Sequence, residues 1–256
     1  MVTHAGLAAF ADEQRERFGV TAHSRALSFA STSFDASVLE LLLAFGAGAT
    51  MVIAPPTVLG GVELHELLDE QTITHAFVTP AALATVDPAG LDHLEAVVVG
   101  GDACTADLVS RWAPRRRMFN AYGPTEATVA VTISDSLVAG ETVTIGGPIR
   151  GVDAMVLDSR LHSVPGRVVG ELYVCGDGLA RGYLATPRSR QRGSSPTRTD
   201  PKALGCTAPG ILCVKIAHGR LSISDARTTR SRSEGSGSNS VKSTRCWRRR
   251  RPCIRL

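Results

Sequence analysis

From Arg25 to Ala121 the chain alternates short apolar runs with segments of helical period, and this alternation restricts the fold more than any other feature. The spacing predicts strands over 26–29, 50–54, 75–78, 94–99 and 118–121. Helices are predicted between them over 35–45, 62–70, onward from Pro80, and over 105–112. Residues 94–99 are almost continuously apolar, as expected of a parallel strand covered on both faces. Pro80 stands at a helix start, where a missing amide hydrogen is harmless. In the helix over 35–45, Asp35 or Ser37 is the expected cap, and Val38, Leu41, Leu42 and Phe45 share one face. After Thr128 the helical period disappears, and strands are predicted over 129–134, 142–145, 154–157 and 171–175 between Gly and Pro turns. The expected class is therefore α/β: a doubly wound, mostly parallel sheet followed by a β-rich block.

A second feature divides the chain near Pro187. Residues 1–187 carry 11 Arg, no Lys and 21 acidic residues, a net −10. Residues 188–256 carry 14 Arg, 3 Lys and 3 acidic residues, a net +14, together with 11 Ser. The expected organisation is one partial domain over 1–187 and a disordered basic tail over 188–256. Within that tail, 228–251 has too few apolar residues to offset its ordering entropy, and only 211–216 reads as a strand.

The longest uncharged stretch, 41–62, is broken by Pro55-Pro56 and Gly60-Gly61; its apolar run of about 14 residues falls short of the roughly 20 that a spanning helix needs. No membrane partner is expected. Charged residues at Glu13, Arg15, Glu16 and Arg17 come too early for a secretory signal, and the expected location is the cytoplasm. Cys104, Cys175, Cys206, Cys213, Cys246 and Cys253 are scattered without a CxxC pair, which suits a reducing compartment and no metal. His65-Glu66 resembles half of a helical zinc motif, but the second histidine is missing and Glu63 and Glu70 make a solvated acidic face.

Three segments carry chemistry. In Ser33-Phe34-Asp35-Ala36-Ser37-Val38 a carboxylate stands at a helix start, where amide dipoles keep it ionised; on its own it is a helix cap. In Asn120-Ala121-Tyr122-Gly123-Pro124-Thr125-Glu126 a turn comes after a strand end, and then a hydroxyl and a carboxylate, a set suited to a phosphate, its magnesium and a stacked base. The third, 170–184, reads as strand, glycine turn and strand.

Together and in this order, the three segments resemble adenylation domains of nonribosomal peptide synthetases, members of the adenylate-forming family that includes acyl-CoA synthetases and luciferases. The resemblance covers residues 1–187. It implies that ATP and a carboxylic acid form an acyl adenylate with release of pyrophosphate, after which the acyl group passes to the phosphopantetheine of a carrier domain. By resemblance Tyr122 stacks on adenine, Thr125 contacts the α-phosphate, and Glu126 ligates Mg2+. Asn120, Ala121 and Gly123 belong to the same nucleotide-binding string. Gly100 and Gly101 border the adenine, where a close ligand leaves no room for a Cβ. Asp35 matches the family position that pairs with an α-amino group. Ala36, Leu39, Phe77, Val98, Gly100, Ala121, Val129 and Ala130 match the side-chain pocket. That pocket has no charge besides Asp35, so the expected substrate is an apolar amino acid.

The family pattern stops at both ends. The stretch beginning at Met1 matches the segment that comes directly after the Ser/Thr/Gly-rich phosphate loop in relatives, so that loop is expected to be missing. Beyond Pro187 the pattern returns when codons are regrouped by one frame: 189–200 permits TAERFVADPYG, 206–214 permits YRTGDLVR, and 224–244 permits GRTDDQVKVRGFRIELGEVD. Residues from about Arg188 are accordingly expected to be translated out of frame, an expectation that the DNA around the codon for Pro187 decides. In relatives these motifs hold the ribose, form a hinge and lead to a catalytic lysine, so little adenylation is expected of the chain alone. The competing reading is a non-catalytic nucleotide-binding remnant whose arginine-rich tail binds polyanions such as nucleic acid. No RNA-binding motif accompanies the arginines, so no specific nucleic acid is expected.

Overall fold

The computed structural model describes residues 1–181 and the short segments 205–206, 212–215, 220–223 and 244–245. They form two compact units. One comprises Ala8–Thr125 and Val129–Arg150; the other comprises Met1–Leu7, Glu126–Thr128 and the residues from Gly151 onward.

The first unit is built on a seven-stranded sheet. Its elements in chain order are α1 (Leu7–Phe18), β1 (Arg25–Ser28), α2 (Ala36–Phe45), β2 (Thr50–Ile53), α3 (Gly61–Glu70), β3 (His75–Val78), α4 (Pro80–Ala84), β4 (Ala96–Gly100), α5 (Ala106–Trp112), β5 (Arg117–Tyr122), β6 (Thr132–Ile133) and β7 (Gly147–Pro148). The strand order is β2-β1-β3-β4-β5-β6-β7; the first five strands are parallel, and β6 and β7 are antiparallel. Every residue of β3 and β4 is buried, which is why their sequences carry no polar alternation. One face of the sheet, with Ala76, Val78, Val97, Val99 and Met118, joins Leu64, Leu68, Leu83, Leu108 and Trp112 in a single core. Thr79 and Thr105 cap α4 and α5 by accepting the amide hydrogens of Ala82 and Leu108.

Several local expectations need correction. Helix α1 precedes the predicted pattern, because the buried stripe Phe10, Gln14 and Phe18 contains a polar residue that hides its period. In α2 the inward residues are Leu39, Glu40, Leu43 and Ala44, whereas Val38, Leu41 and Phe45 lie on the exposed side. A helix apolar nearly all round has no periodic signal for its inner face. Neither proposed cap operates: Asp35 makes no side-chain capping bond, and the Ser37 hydroxyl donates to the Phe34 carbonyl. The strand expected over 129–134 is reduced to β6, since Thr128 and Val129 have φ of 62° and 67°. Residues 142–145 are irregular.

In the second unit β8 (Val152–Leu157), β9 (Val169–Gly176), β11 (Leu212–Lys215) and β12 (Leu221–Ile223) form an antiparallel sheet in the order β12-β11-β9-β8. A separate pair joins β10 (Gly205–Cys206) to β13 (Thr244–Arg245). The strand expected over 211–216 is thus present as β11. The tail expected to be disordered over 188–256 is corrected at β10, β11, β12 and β13, which backbone pairing holds as strands; its other residues, apart from Arg220, lie outside the described residues, as do residues 182–184 of the third motif. Cys175 is disulfide-bonded, contrary to the expectation of scattered thiols, because linear spacing does not show which sulfurs folding brings within bonding distance. No helix among the described residues is long and apolar enough to cross a membrane.

Buried charge and buried imidazole tie α1 to the sheet. Glu13 accepts from the Arg17 guanidinium at 2.7 Å and from the Arg150 amide at 3.3 Å, while Arg17 donates to the carbonyl of Ile133 at 3.2 Å. His75 is 1% exposed; its Nε2 bonds to the Phe18 carbonyl at 3.0 Å and its Nδ1 to the Thr74 hydroxyl at 2.8 Å. A carbonyl only accepts, so the proton resides on Nε2 and Nδ1 accepts. Burial pushes the imidazole below its ordinary 6.5, outweighing the Phe18 bond and the Glu95 charge, which act upward. The unfolded chain therefore takes up a proton here at higher pH than the folded one. Stability is expected to fall as pH drops below 6.5, by up to about 1.4 kcal/mol per pH unit. Urea melts between pH 7.5 and 5.5 should show a shallower loss for His75→Gln than for the wild type; equal slopes would exclude His75 as the source.

Candidate functional site

The sheet reverses its winding between β1 and β3: β1 leads through α2 to β2 on one side, and β2 returns through α3 to β3 on the other. Loops leaving the carboxyl ends of such strands diverge, and ligands of open α/β sheets sit in the crevice this creates. The β1–α2 loop delivers Asp35 to this point, with Ala36 and Leu39 in the helix behind it. Phe77 and Val98 are register partners on β3 and β4, and Gly100 pairs with Ala121 on β5. Strand alternation points Val98 and Gly100 to one face. The Phe77 ring lies on that face too, because a Cβ added to Gly100 would stand 3.1 Å from it. The fold thus brings Phe77, Val98, Gly100 and Ala121 together.

The two glycines do different work. The space a Gly100 side chain would need is already taken, the Ala121 carbonyl oxygen lying 2.8 Å from the Cβ position. That crowding comes from the protein's own atoms, whereas the sequence reading assigned it to a ligand. Gly101 has φ +83°, and nothing among the described residues lies within 4 Å of its Cβ position. It leaves bare backbone facing open space at the carboxyl end of β4, a feature suited to a flat ring lying close.

The segment after β5 folds back on itself. The Val131 amide donates to the Tyr122 carbonyl at 2.8 Å, which lays Val129 and Ala130 against Gly123. Val129, β-branched, holds the left-handed conformation that such residues rarely adopt. Asn120 is buried and engaged structurally: its amide donates to the Ser134 hydroxyl at 2.8 Å and its Nδ2 to the Thr144 carbonyl at 3.0 Å. Thr125, exposed, starts a short 3-10 turn, Thr125–Ala127. Glu126 is next in the chain and belongs to the second compact unit. There its carbonyl accepts the Ala180 amide at 2.7 Å, and the Thr128 hydroxyl donates to the Gly178 carbonyl.

Glu40 is the residue that sequence reasoning passed over. It is fully buried, and its Oε1 accepts the amides of Phe29 at 3.0 Å and Ala30 at 2.9 Å. Burial drives its carboxyl upward, while bonds from Phe29, Ala30 and Ser28 pull it down. The available signal was a single carboxylate inside the apolar run Ala36–Phe45.

Chemically, this part of the molecule offers a carboxylate that makes no capping bond, buried apolar residues at the ends of β3, β4 and β5, and exposed glycine backbone at Gly101. The hydroxyl of Thr125 and, separately, the carboxylate of Glu126 are hard oxygen donors by chemistry, the class of donor that Mg2+ accepts.

A family model described as AMP-binding enzyme matches residues 1–184. Novobiocin biosynthesis protein H of Streptomyces niveus is 48% identical over 187 residues, covering 73% of this chain and 31% of that protein. Phosphinothricin tripeptide synthetase PhsC of Streptomyces viridochromogenes is 43% identical over 188 residues, covering 73% of this chain and 17% of that protein. Among solved structures, holo-AB3403, a four-domain nonribosomal peptide synthetase bound to AMP and glycine, superposes with a TM-score of 0.75 at 27% identity, covering 87% of this chain and 17% of that one. The chain spans less than a third of the length of these relatives.

Proposed function

This chain belongs to the AMP-binding enzyme family, and from that premise we propose that it is the amino-acid- and nucleotide-holding part of a nonribosomal peptide synthetase adenylation domain. The reaction served is condensation of ATP with an amino acid to an aminoacyl adenylate and pyrophosphate, ahead of transfer to a phosphopantetheine carrier. One observation carries the reading: Asp35, uncapped, stands at the winding switch of a parallel sheet whose neighbouring strand ends supply Phe77, Val98, Gly100 and Ala121.

In this reading the Asp35 carboxylate accepts the substrate ammonium, and the buried apolar surface of Leu39, Phe77, Val98 and Ala130 selects an uncharged, apolar side chain. Tyr122 offers its ring to adenine, and the open backbone at Gly101 admits the base edge. Thr125 and Glu126 face the phosphate and its Mg2+, which when bound neutralises the charge that would otherwise repel the attacking carboxylate. Bringing the two reactants to adjoining strand ends supplies proximity.

The test is calorimetric binding of AMP and of L-leucine, L-valine and L-phenylalanine to the chain. A charge-assisted bond is worth about 1.5–3 kcal/mol, so Asp35→Asn should weaken the best amino acid by roughly ten- to a hundredfold and leave AMP unaffected. Equal amino-acid affinity in both proteins would sink the assignment.

A further inference from the structure

We propose that Glu40 is the positioning residue of the amino-acid subsite: its carboxylate clamps the end of β1 and thereby sets where Asp35 stands. The proposal rests on the reading of Asp35 given above.

An ionised carboxylate is the worst group to bury without partners, and an apolar residue like its neighbours in α2 could fill the same volume. Glu40 nevertheless has no solvent exposure. Its two oxygens are spent on the end of β1: Oε1 accepts from the amides of Phe29 and Ala30, Oε2 from the Ala30 amide at 3.1 Å, and the Ser28 side chain bonds the same carboxylate. Phe29 and Ala30 are the first two residues beyond β1, where the ladder has stopped supplying acceptors. The bonds therefore hold the strand's carboxyl end against the next helix.

Asp35, the N-cap residue of that helix, lies five residues before Glu40, about 7.5 Å along the axis at 1.5 Å per residue. A helix is stiff over that length, so a clamp at Glu40 fixes the height of Asp35 relative to the strand end. Asp35 has no capping bond of its own to do this. Among the described residues the hydrogen bonds of the connecting segment are local: Phe34 N–H to the Ser31 carbonyl at 2.9 Å, Ser33 N–H to the Ser31 hydroxyl at 3.3 Å, and the Phe34 carbonyl accepting from the Ser37 hydroxyl at 2.8 Å. The same helix carries Leu39, whose carbonyl accepts the Gln14 side-chain amide at 3.2 Å, a separate tie that holds the body of α2 to α1 and leaves the strand end as what Glu40 fixes.

The experiment compares the chain with Glu40→Gln and Glu40→Met, the second removing the buried charge so that a folded variant is available even if the amide is not tolerated. Hydrogen exchange is measured for residues 29–35 and for β3 and β4, and binding is measured for L-phenylalanine and for AMP. The expected result is exchange at 29–35 at least tenfold faster with β3 and β4 unchanged, and L-phenylalanine weakened at least tenfold with AMP changed less than twofold. Asp35→Ala combined with Glu40→Met should bind L-phenylalanine no more weakly than Asp35→Ala alone, because Glu40 acts through Asp35. Unchanged exchange at 29–35, or a parallel loss of both ligands, overturns the proposal. If the wild type binds AMP but none of the amino acids, the Asp35 reading fails and the subsite claim with it, even where the exchange result shows that Glu40 holds the loop.

Discussion

Gly123→Ala is expected to lower the melting temperature by roughly 6–12 °C and to weaken AMP binding more than tenfold. The added Cβ would stand 2.5 Å from the Ala130 Cα, 2.5 Å from the Val129 carbonyl oxygen and 2.8 Å from the Val131 nitrogen, all of them backbone. A side chain can rotate away from a clash, but these atoms are held by the Val131 to Tyr122 hydrogen bond. The strained conformation of Thr128 and Val129 leaves no slack in the loop. Overpacking of this kind costs about 3 kcal/mol, and each kcal/mol shifts a domain of this size by roughly 2–4 °C. On the function proposed above, nucleotide affinity is expected to fall as well, because Tyr122 and Thr125, the residues proposed to contact adenine and phosphate, lie on either side of the displaced glycine. Gly101→Ala is the control for stability alone: among the described residues nothing crowds its Cβ position, so only the positive φ is penalised, by about 1–2 kcal/mol. Differential scanning fluorimetry of both variants and AMP titration of Gly123→Ala check these expectations. A Gly123→Ala protein that melts with the wild type would show that the loop can open without loss.

Trp112→Ala is expected to destabilise the chain by about 4 kcal/mol, or roughly 8–16 °C. Trp112 is the largest fully buried side chain among the described residues and joins α5 to the core beneath β3, β4 and β5. Its ring also lies 5.0 Å from the Arg116 guanidinium carbon. Arg116 is itself buried, with one hydrogen bond from Nη2 to the Pro88 carbonyl, while its Nε and Nη1 have no partner. Burial holds the guanidinium below its usual range, so the aromatic face is a substantial part of what keeps the charge there. The indole Nε1 is buried without an acceptor. Trp112→Phe, which removes that unsatisfied donor and keeps a ring, should therefore lose less than half as much. Urea unfolding of the three proteins checks the order, and equal losses for Phe and Ala would refute the role given to the ring.

Much of the architecture was legible because β3 and β4 are buried on both faces and read as unbroken apolar runs, while Thr79, Pro80 and Thr105 mark helix starts. The Asp35 and Tyr122–Glu126 segments were legible as motifs. Helix α1 escaped because Gln14 occupies its buried stripe, and 129–134 was misread because β-branched composition cannot announce a left-handed turn. Asn120 read as a ligand contact, yet its side chain is bonded to the Thr144 carbonyl.

Local period and residue identities at short spacing were enough to establish the parallel α/β block and the order of its motifs, and the resemblance of those motifs to adenylation domains pointed to the family. Which face of α2 turns inward, what crowds Gly100, and that Glu40 holds the end of β1 emerged only once the chain was folded. Those outcomes depend on which atoms distant segments bring within a few ångströms, and an almost wholly apolar helix or a lone buried carboxylate carries no periodic trace of such a neighbour.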